Sequence, residues 1–435
     1  MLSKQNITVA FILFFSFFLK IHNYTVYPQR GATSDEYTYS FLGVSLLTKH
    51  VPISWSYFGA YKNRQDLTIN KIYFPIVWPY FDHPPLNGLV VGGWALLFGE
   101  NTFEKIQLSV IRIVPIFLST MSSFFIYLIA RRRYGFRTAL WAILIYVTVP
   151  IFVIQSRVVL AENLLTPLLL LAIYVYDYMQ KHVSLKYMML LGVLSGLSLW
   201  TKEVGICVFI IVCFFMIMDR VRIHLFSSFI FVFALFLLGY VAYGMYFDRE
   251  VFWNIITTQT TRDVGPQTLL YLLSTPIIIN KIYYDGWYFL GFISLFASLL
   301  HIKELKIIII PAFIYFLLLL SLLTQKAEMG WYLIPLFPFL AIVTSKLLVD
   351  SLQKGNWYII VMILFVGFSH MQNLYQENFG FTTGHFRFFS VVLFGPFILA
   401  ILSKKEKIFQ KLGSVYFYSF ILGNIYLTYQ YVHPA

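Results

Sequence analysis

The sequence predicts an all-α, polytopic membrane protein: one membrane domain over residues 1–435, crossed by about thirteen helices. Three observations lead there. Only 12% of the residues are charged, against about 25% in an ordinary globular domain. Charge-free apolar runs recur, such as LFSSFIFVFALFLLGYVAY at 225–243 and IIIIPAFIYFLLLLSLL at 307–323. A helix needs roughly 20 such residues to cross the hydrocarbon. The runs are also continuous rather than alternating, which indicates helices and not barrel strands.

In order, the expected spans are 6–22, 106–130, 139–155, 162–180, 187–200, 204–218, 225–245, 286–300, 307–323, 332–349, 357–370, 387–402 and 412–430. The first follows Lys4, lacks a small-residue cleavage site and reads as a retained signal-anchor. Between the first two spans lies a long loop, 23–105. Within it, DEYTYSFLGVSLLTK (35–49) places Tyr37, Phe41, Val44 and Leu47 at helical spacing. That pattern predicts a helix lying on the membrane surface, with Ser34 or Asp35 near its N-cap. LNGLVVGGWALLF (86–98) is apolar but too short to span, and fits a second interfacial helix. Pro84 and Pro85 would stand at its start, where proline is tolerated. A second loop covers 246–285, and 346–435 carries helices without a recognisable motif. No linker tract, low-complexity segment or internal repeat is visible.

Basic residues set the orientation. With the N-terminus inside, Lys4 and the loops RRRYGFR (131–137), KHVSLK (181–186), DRVRIH (219–224), HIKELK (301–306), 346–356 and SKKEKIFQK (403–411) fall on the cytoplasmic side. With their flanks they hold 17 of the 32 Lys and Arg but only five of the 19 acids. The inside is thus near +12 and the outside near +1. The formal charge of +13 reflects topology, and a nucleic-acid partner is not expected. Cys207 and Cys213 lie six residues apart on different faces of one apolar helix. They cannot bridge to each other and read as packing residues.

Charged groups return to the outer helix ends from distant parts of the chain. They are Asp35-Glu36, Asp82-His83 in FDHPPLNG, Arg157 and Glu162, Lys202-Glu203, and Lys326-Glu328, with Arg112 about two turns into the second span. Charge at such depth is costly unless paired or used. Each has a plainer reading. Asp35 can cap its helix, Glu36 can be solvated, and His83 can pack on aromatics. Arg157 and Glu162 can pair with each other, and Lys202 can snorkel to the interface. The convergence of all of them on one side is the stronger signal.

The motifs SDEYTY, FDHPPLNG, VIRIVP, SRVVLAEN, LWTKEVG and WYLIPLFP, in that order over roughly 1–345, resemble those of the GT-C glycosyltransferases. The likeness is to the protein O-mannosyltransferases and lipid A aminoarabinose transferases (glycosyltransferase family 39 and its relatives). It implies a GT-C fold in the plasma membrane, with the site on the extracytoplasmic face. It also implies transfer of a sugar, with inversion, from a polyprenyl-phosphate-linked donor to a hydroxyl on a lipid, glycan or protein acceptor. No cofactor or metal is implied. Carried over, Asp35 is the base and Glu36 helps hold the acceptor. Asp82, His83 and Glu162 position sugar or acceptor, while Arg157, Lys202, Arg112 and Lys326 bind the donor phosphate. A carboxylate that takes a proton and cations that stabilise a departing phosphate suit this chemistry. The sequence departs from the family at Trp331, where an Arg is common, and at Glu162, where Asp is common. It also lacks a large outer insertion.

Two other functions compete. A secondary transporter would place its charges near the midplane, within repeats. A metal-dependent oligosaccharide transferase would use Asp35, Asp82, His83 and Glu162 as an oxygen-rich cation site.

Overall fold

The computed structural model describes residues 4–29, 33–69, 72–180, 183–261, 269, 277–278, 281–282, 285–322, 330–354, 358–376, 382–402 and 406–430. Lys326, proposed above as a phosphate ligand, lies outside them.

Helices dominate, as expected. The first is α1 (Lys4–Ile21), followed by α2 (Asp35–Lys49) and α3 (Pro85–Leu97). Then come α4 (Leu108–Ile111), α5 (Ile113–Tyr134), α6 (Phe136–Thr148), α7 (Pro150–Gln155) and α8 (Ala161–Met179). They are followed by α9 (Leu185–Thr201), α10 (Ile206–Met218), α11 (Ile223–Thr260), α12 (Gly286–Ala297), α13 (Ile302–Leu322) and α14 (Phe337–Lys354). The chain closes with α15 (Tyr358–Met362), α16 (Phe368–Gln376), α17 (Thr383–Leu402) and α18 (Glu406–Gln430). Six helical stretches among the described residues are long and apolar enough to cross a membrane. Several others are apolar but only 10–17 residues long, so helix length does not return the expected count of thirteen.

Breaks fall where the local chemistry puts them. Pro85 opens α3 at its first turn, where a missing N–H costs nothing. α11 covers the expected 225–245 span and runs past it, with an extended residue at Asp248 (φ −167°). The Asp248 carboxylate accepts from Glu250 N and Val251 N, capping the segment that follows. Asp285 caps α12 by accepting from Trp287 N and Tyr288 N.

The main apolar core lies among α6, α7, α8, α10, α12 and α14. The C-terminal helix, which carries no motif, joins it: Phe417 of α18 stacks on Trp141 at 3.7 Å. A second, aromatic core sits under the first long loop and includes Tyr37, Phe41, Trp55, Phe74 and Phe103.

The structure adds two features to that loop. Its middle folds as an antiparallel sheet in the order β1 (Ser54–Trp55), β3 (Ile72–Trp78), β2 (Asn63–Ile69), with Asn63 opposite Trp78 and Ile69 opposite Ile72. The β-branched and aromatic IYFPIVW favours a strand. The helix over 35–49 forms, and most of its length is covered by protein. Glu36 through Ser45 are all buried, because α3 covers one side and the sheet another. The packing of α2 on α3 is glycine to glycine. A Cβ on Gly43 would stand 1.8 Å from Gly88 O, and one on Gly92 would stand 2.4 Å from Val44 N. Backbones this close fix the start of α3, and with it Asp82 and His83, against α2.

Candidate active site

The start of α2 places two carboxylates side by side with different surroundings. Glu36 is fully buried. Its Oε1 and Oε2 accept from Arg112 Nε at 2.8 Å and Nη2 at 2.7 Å, and Oε1 also accepts from Val159 N at 3.1 Å. Arg112 Nη1 donates to Tyr24 O and Pro28 O at 2.7 and 2.6 Å. Every group of this pair is thus engaged, as a buried ion pair requires. It ties α2 to the segment after α1, to the α4–α5 junction and to the loop before α8.

Arg157 is also fully buried. Its Nε donates to Lys20 O at 3.0 Å, Nη2 to Leu19 O at 3.1 Å and Nη1 to Tyr27 O at 3.3 Å. Leu19 and Lys20 belong to the last turn of α1, whose carbonyls lack helical partners. Arg157 therefore caps that helix, where a cation is favoured. Asn163 Nδ2 donates to Gln155 O and Val158 O and closes the SRVVL turn. The alternative in which Arg157 pairs with Glu162 is not what forms.

Glu162 pairs instead with Lys202, whose ammonium also lies 4.2 Å from the centre of the Tyr332 ring. Tyr332 belongs to the WYLIPLFP stretch and is held there by Tyr315, whose hydroxyl donates to its carbonyl at 2.8 Å. Glu162 is fully buried, yet its Oε2 has no hydrogen-bond partner among the described residues. A buried carboxylate oxygen left open is uncommon and costly.

Asp35 faces this pair. Its backbone N–H donates to Thr33 Oγ1, but among the described residues its carboxylate accepts no hydrogen bond. Burial pushes its pKa up to about 6; Lys202 opposes the rise, while Glu162 and Glu36 add to it. Asp82 is 8% exposed. It accepts from Tyr61 OH at 2.5 Å, and its carbonyl accepts from Gln259 Nε2. Burial raises its pKa to about 7, against the pull of Ser56 and Tyr61, and Asp35 and Glu203 push it further up. His83 stacks on Tyr39 of α2 at 5.0 Å.

The sequence-derived residues thus divide. Asp35, Glu162 and Lys202 come together, with Asp82 and His83 beside them. Glu36, Arg112 and Arg157 form the frame behind, with both carboxylate oxygens and each guanidinium nitrogen hydrogen-bonded to the protein. Sequence reasoning missed Tyr39, Tyr61 and Tyr332, which are ordinary residues in a chain with 31 tyrosines. It also missed buried Lys20, whose ammonium donates to Ser119 Oγ at 2.8 Å. Among the described residues no group of three or more His, Cys, Asp or Glu is arranged to hold a metal ion.

Comparison with known proteins bears on the fold. The solved structure of ArnT from Cupriavidus metallidurans bound to undecaprenyl phosphate superposes with a TM-score of 0.61. The match covers 97% of this chain and 76% of that one, at 15% identity. The chain has the GT-C glycosyltransferase fold. The Archaeoglobus fulgidus oligosaccharyltransferase AglB, in complex with an inhibitory peptide and a dolichol-phosphate, gives a TM-score of 0.52 at 11% identity. That match covers 98% of this chain and 56% of AglB. Residues 82–247 match the dolichyl-phosphate-mannose-protein mannosyltransferase family. That segment contains Asp82, His83, Arg112, Arg157, Glu162 and Lys202 but not Asp35 or Glu36. No curated protein sequence matches.

Proposed function

We propose that this GT-C chain transfers a sugar from a polyprenyl-phosphate donor to an acceptor hydroxyl, with Asp35 as the base. The observation that carries the reading is the contrast at the site. Asp35 has a carboxylate with no hydrogen-bond donor among the described residues, beside a lysine that is already desolvated. A group so placed is available to a substrate.

The acceptor O–H gives its proton to Asp35 as its oxygen attacks the anomeric carbon. The bond from that carbon to the phosphate oxygen breaks in the same displacement, so the configuration inverts. Polyprenyl phosphate leaves with an added negative charge. Lys202 stabilises that charge as it grows, and Glu162 holds the ammonium in place. Asp82 and His83, fixed by Tyr61 and Tyr39, line the side from which sugar or acceptor enters. Arg112 and Arg157 shape the frame rather than touch phosphate. The acceptor is a lipid, glycan or protein hydroxyl, and the acid cluster faces the extracytoplasmic side of the plasma membrane. The likeness to ArnT, solved with undecaprenyl phosphate, supports the donor class.

The test compares glycans and envelope lipids by mass spectrometry in cells with and without the protein. Loss of one hexose or pentose from a defined glycan or lipid, with build-up of its polyprenyl-phosphate form, is the expected result. Unchanged profiles would count against transfer.

A further inference from the structure

One cavity among the described residues sits far from the acids. It measures about 590 Å³ and is lined by Tyr176, Gln180, Asp219, Arg220, Arg222 and Lys306, among others. Tyr176 lies fourteen residues beyond Glu162 on α8, about 20 Å along the helix. The cavity therefore opens at the opposite end of the bundle, between the ends of α8 and α10 and the starts of α11 and α13.

Its charges are unbalanced. Asp219 is occupied on the wall: it accepts from Tyr176 OH at 2.8 Å, Gln180 Nε2 at 3.1 Å and Lys306 Nζ at 3.4 Å. Neither Arg220 nor Arg222 has a carboxylate partner among the described residues. Arg131 and Arg137 at this end donate to Gln5 and Ser414 rather than to a carboxylate, while two neighbours are neutralised. Arg132 and Arg133 are both paired with the buried carboxylate of Asp177. Exposed Ile217, Met218 and Ile223 flank the two free arginines, which sets the cavity at the boundary between apolar chains and water.

We infer that this cavity binds the phosphate headgroup of an anionic lipid in the leaflet opposite the acid cluster. Arg220 and Arg222 grip the phosphate and Lys306 adds charge. Arginine suits phosphate because its planar fork offers two parallel donors. Basic pockets between membrane helices are a recurrent way to hold such headgroups. The volume admits a glycerophosphate headgroup, and the flanking apolar side chains receive the acyl chains. The chemistry would also admit soluble phosphate, so the test separates the two.

The full chain is placed in nanodiscs of equal parts phosphatidylglycerol and phosphatidylcholine and then extracted into detergent. Retained lipid is counted by native mass spectrometry. The wild type should keep phosphatidylglycerol in preference to phosphatidylcholine. Arg220→Gln/Arg222→Gln should lose that preference by roughly tenfold, and each single variant should lose part of it if the double variant folds poorly. Asp219→Asn should strengthen retention. Millimolar inorganic phosphate should leave the retained lipid in place. Equal retention by wild type and double variant would overturn the site. Displacement of the lipid by inorganic phosphate would overturn the lipid and make the ligand a soluble anion.

Discussion

Asp35 and Glu36 are neighbours in the chain, yet they belong to regions that treat charge differently. In the frame of Glu36, Arg112 and Arg157, each guanidinium nitrogen donates to a protein acceptor, and the charges are sealed between helices. In the cluster of Asp35, Glu162 and Lys202, polar atoms are left open. Asp35 has no hydrogen-bond donor among the described residues, and one oxygen of Glu162 has none. Both regions are built from the same residue types at the same end of the bundle. Burial alone therefore does not mark function; what separates the two is whether the buried charge is already satisfied.

That contrast can be broken from the framework side first, where the largest effect on stability is expected. Arg112→Gln leaves the Glu36 carboxylate buried and uncompensated, which costs about 3–5 kcal/mol. Thermal unfolding in detergent should show a large loss, and Glu36→Gln/Arg112→Gln should be less harmed than Arg112→Gln alone. Equal stability of wild type and Arg112→Gln would remove the frame as a distinct region.

A smaller effect separates two cations. Lys202→Gln should slow transfer or weaken donor binding by at least roughly tenfold, about 1.4 kcal/mol. Arg157→Gln should instead lose stability by about 2 kcal/mol, because three carbonyls lose their donor, while its folded fraction transfers normally. The reverse pattern, with Arg157→Gln folded but unable to bind donor, would return Arg157 to the phosphate.

Much of this was legible in the sequence. Charges that oppose the positive-inside trend pointed to one end of the bundle, and the spacing of Pro84 and Pro85 gave the start of α3. The division of roles was not legible. SDEYTY shows two acids in a row, and only the fold reveals that Arg112 reaches back 76 positions to take the second. Arg157 looked like a ligand because it runs against the charge trend. Its partners are backbone carbonyls of α1 and of Tyr27 just after it, which no side-chain pattern displays. The sheet in the first loop is not legible beside the stronger apolar patterns at 35–49 and 86–98. The burial of α2 depends on that sheet and on the glycine contact with α3.

A pH-dependent effect concerns Asp82. Its folded pKa, about 7, lies above the unfolded value of about 3.9. The folded state thus holds the extra proton between these values, and stability falls as pH rises through that window. Asp82→Asn should raise the unfolding temperature at pH 8 and leave it unchanged near pH 4. A loss of stability at pH 8 would show that the ionised carboxylate is favoured by Tyr61 and Ser56 more than burial opposes it.

The central claim is that the unsatisfied carboxylate is the one that takes the proton. It is tested by measuring donor binding and turnover side by side on purified, folded Asp35→Asn. Asparagine keeps the size of the side chain and removes the base. The account predicts near-normal binding of polyprenyl-phosphate sugar and almost no transfer, while Asp82→Asn and Glu36→Gln, where they fold, retain some. The wild-type kcat/KM should also fall about tenfold per unit as pH drops below about 6, where Asp35 becomes protonated. Normal turnover by Asp35→Asn, with Asp82→Asn inactive, would contradict the account and move the base into FDHPPLNG.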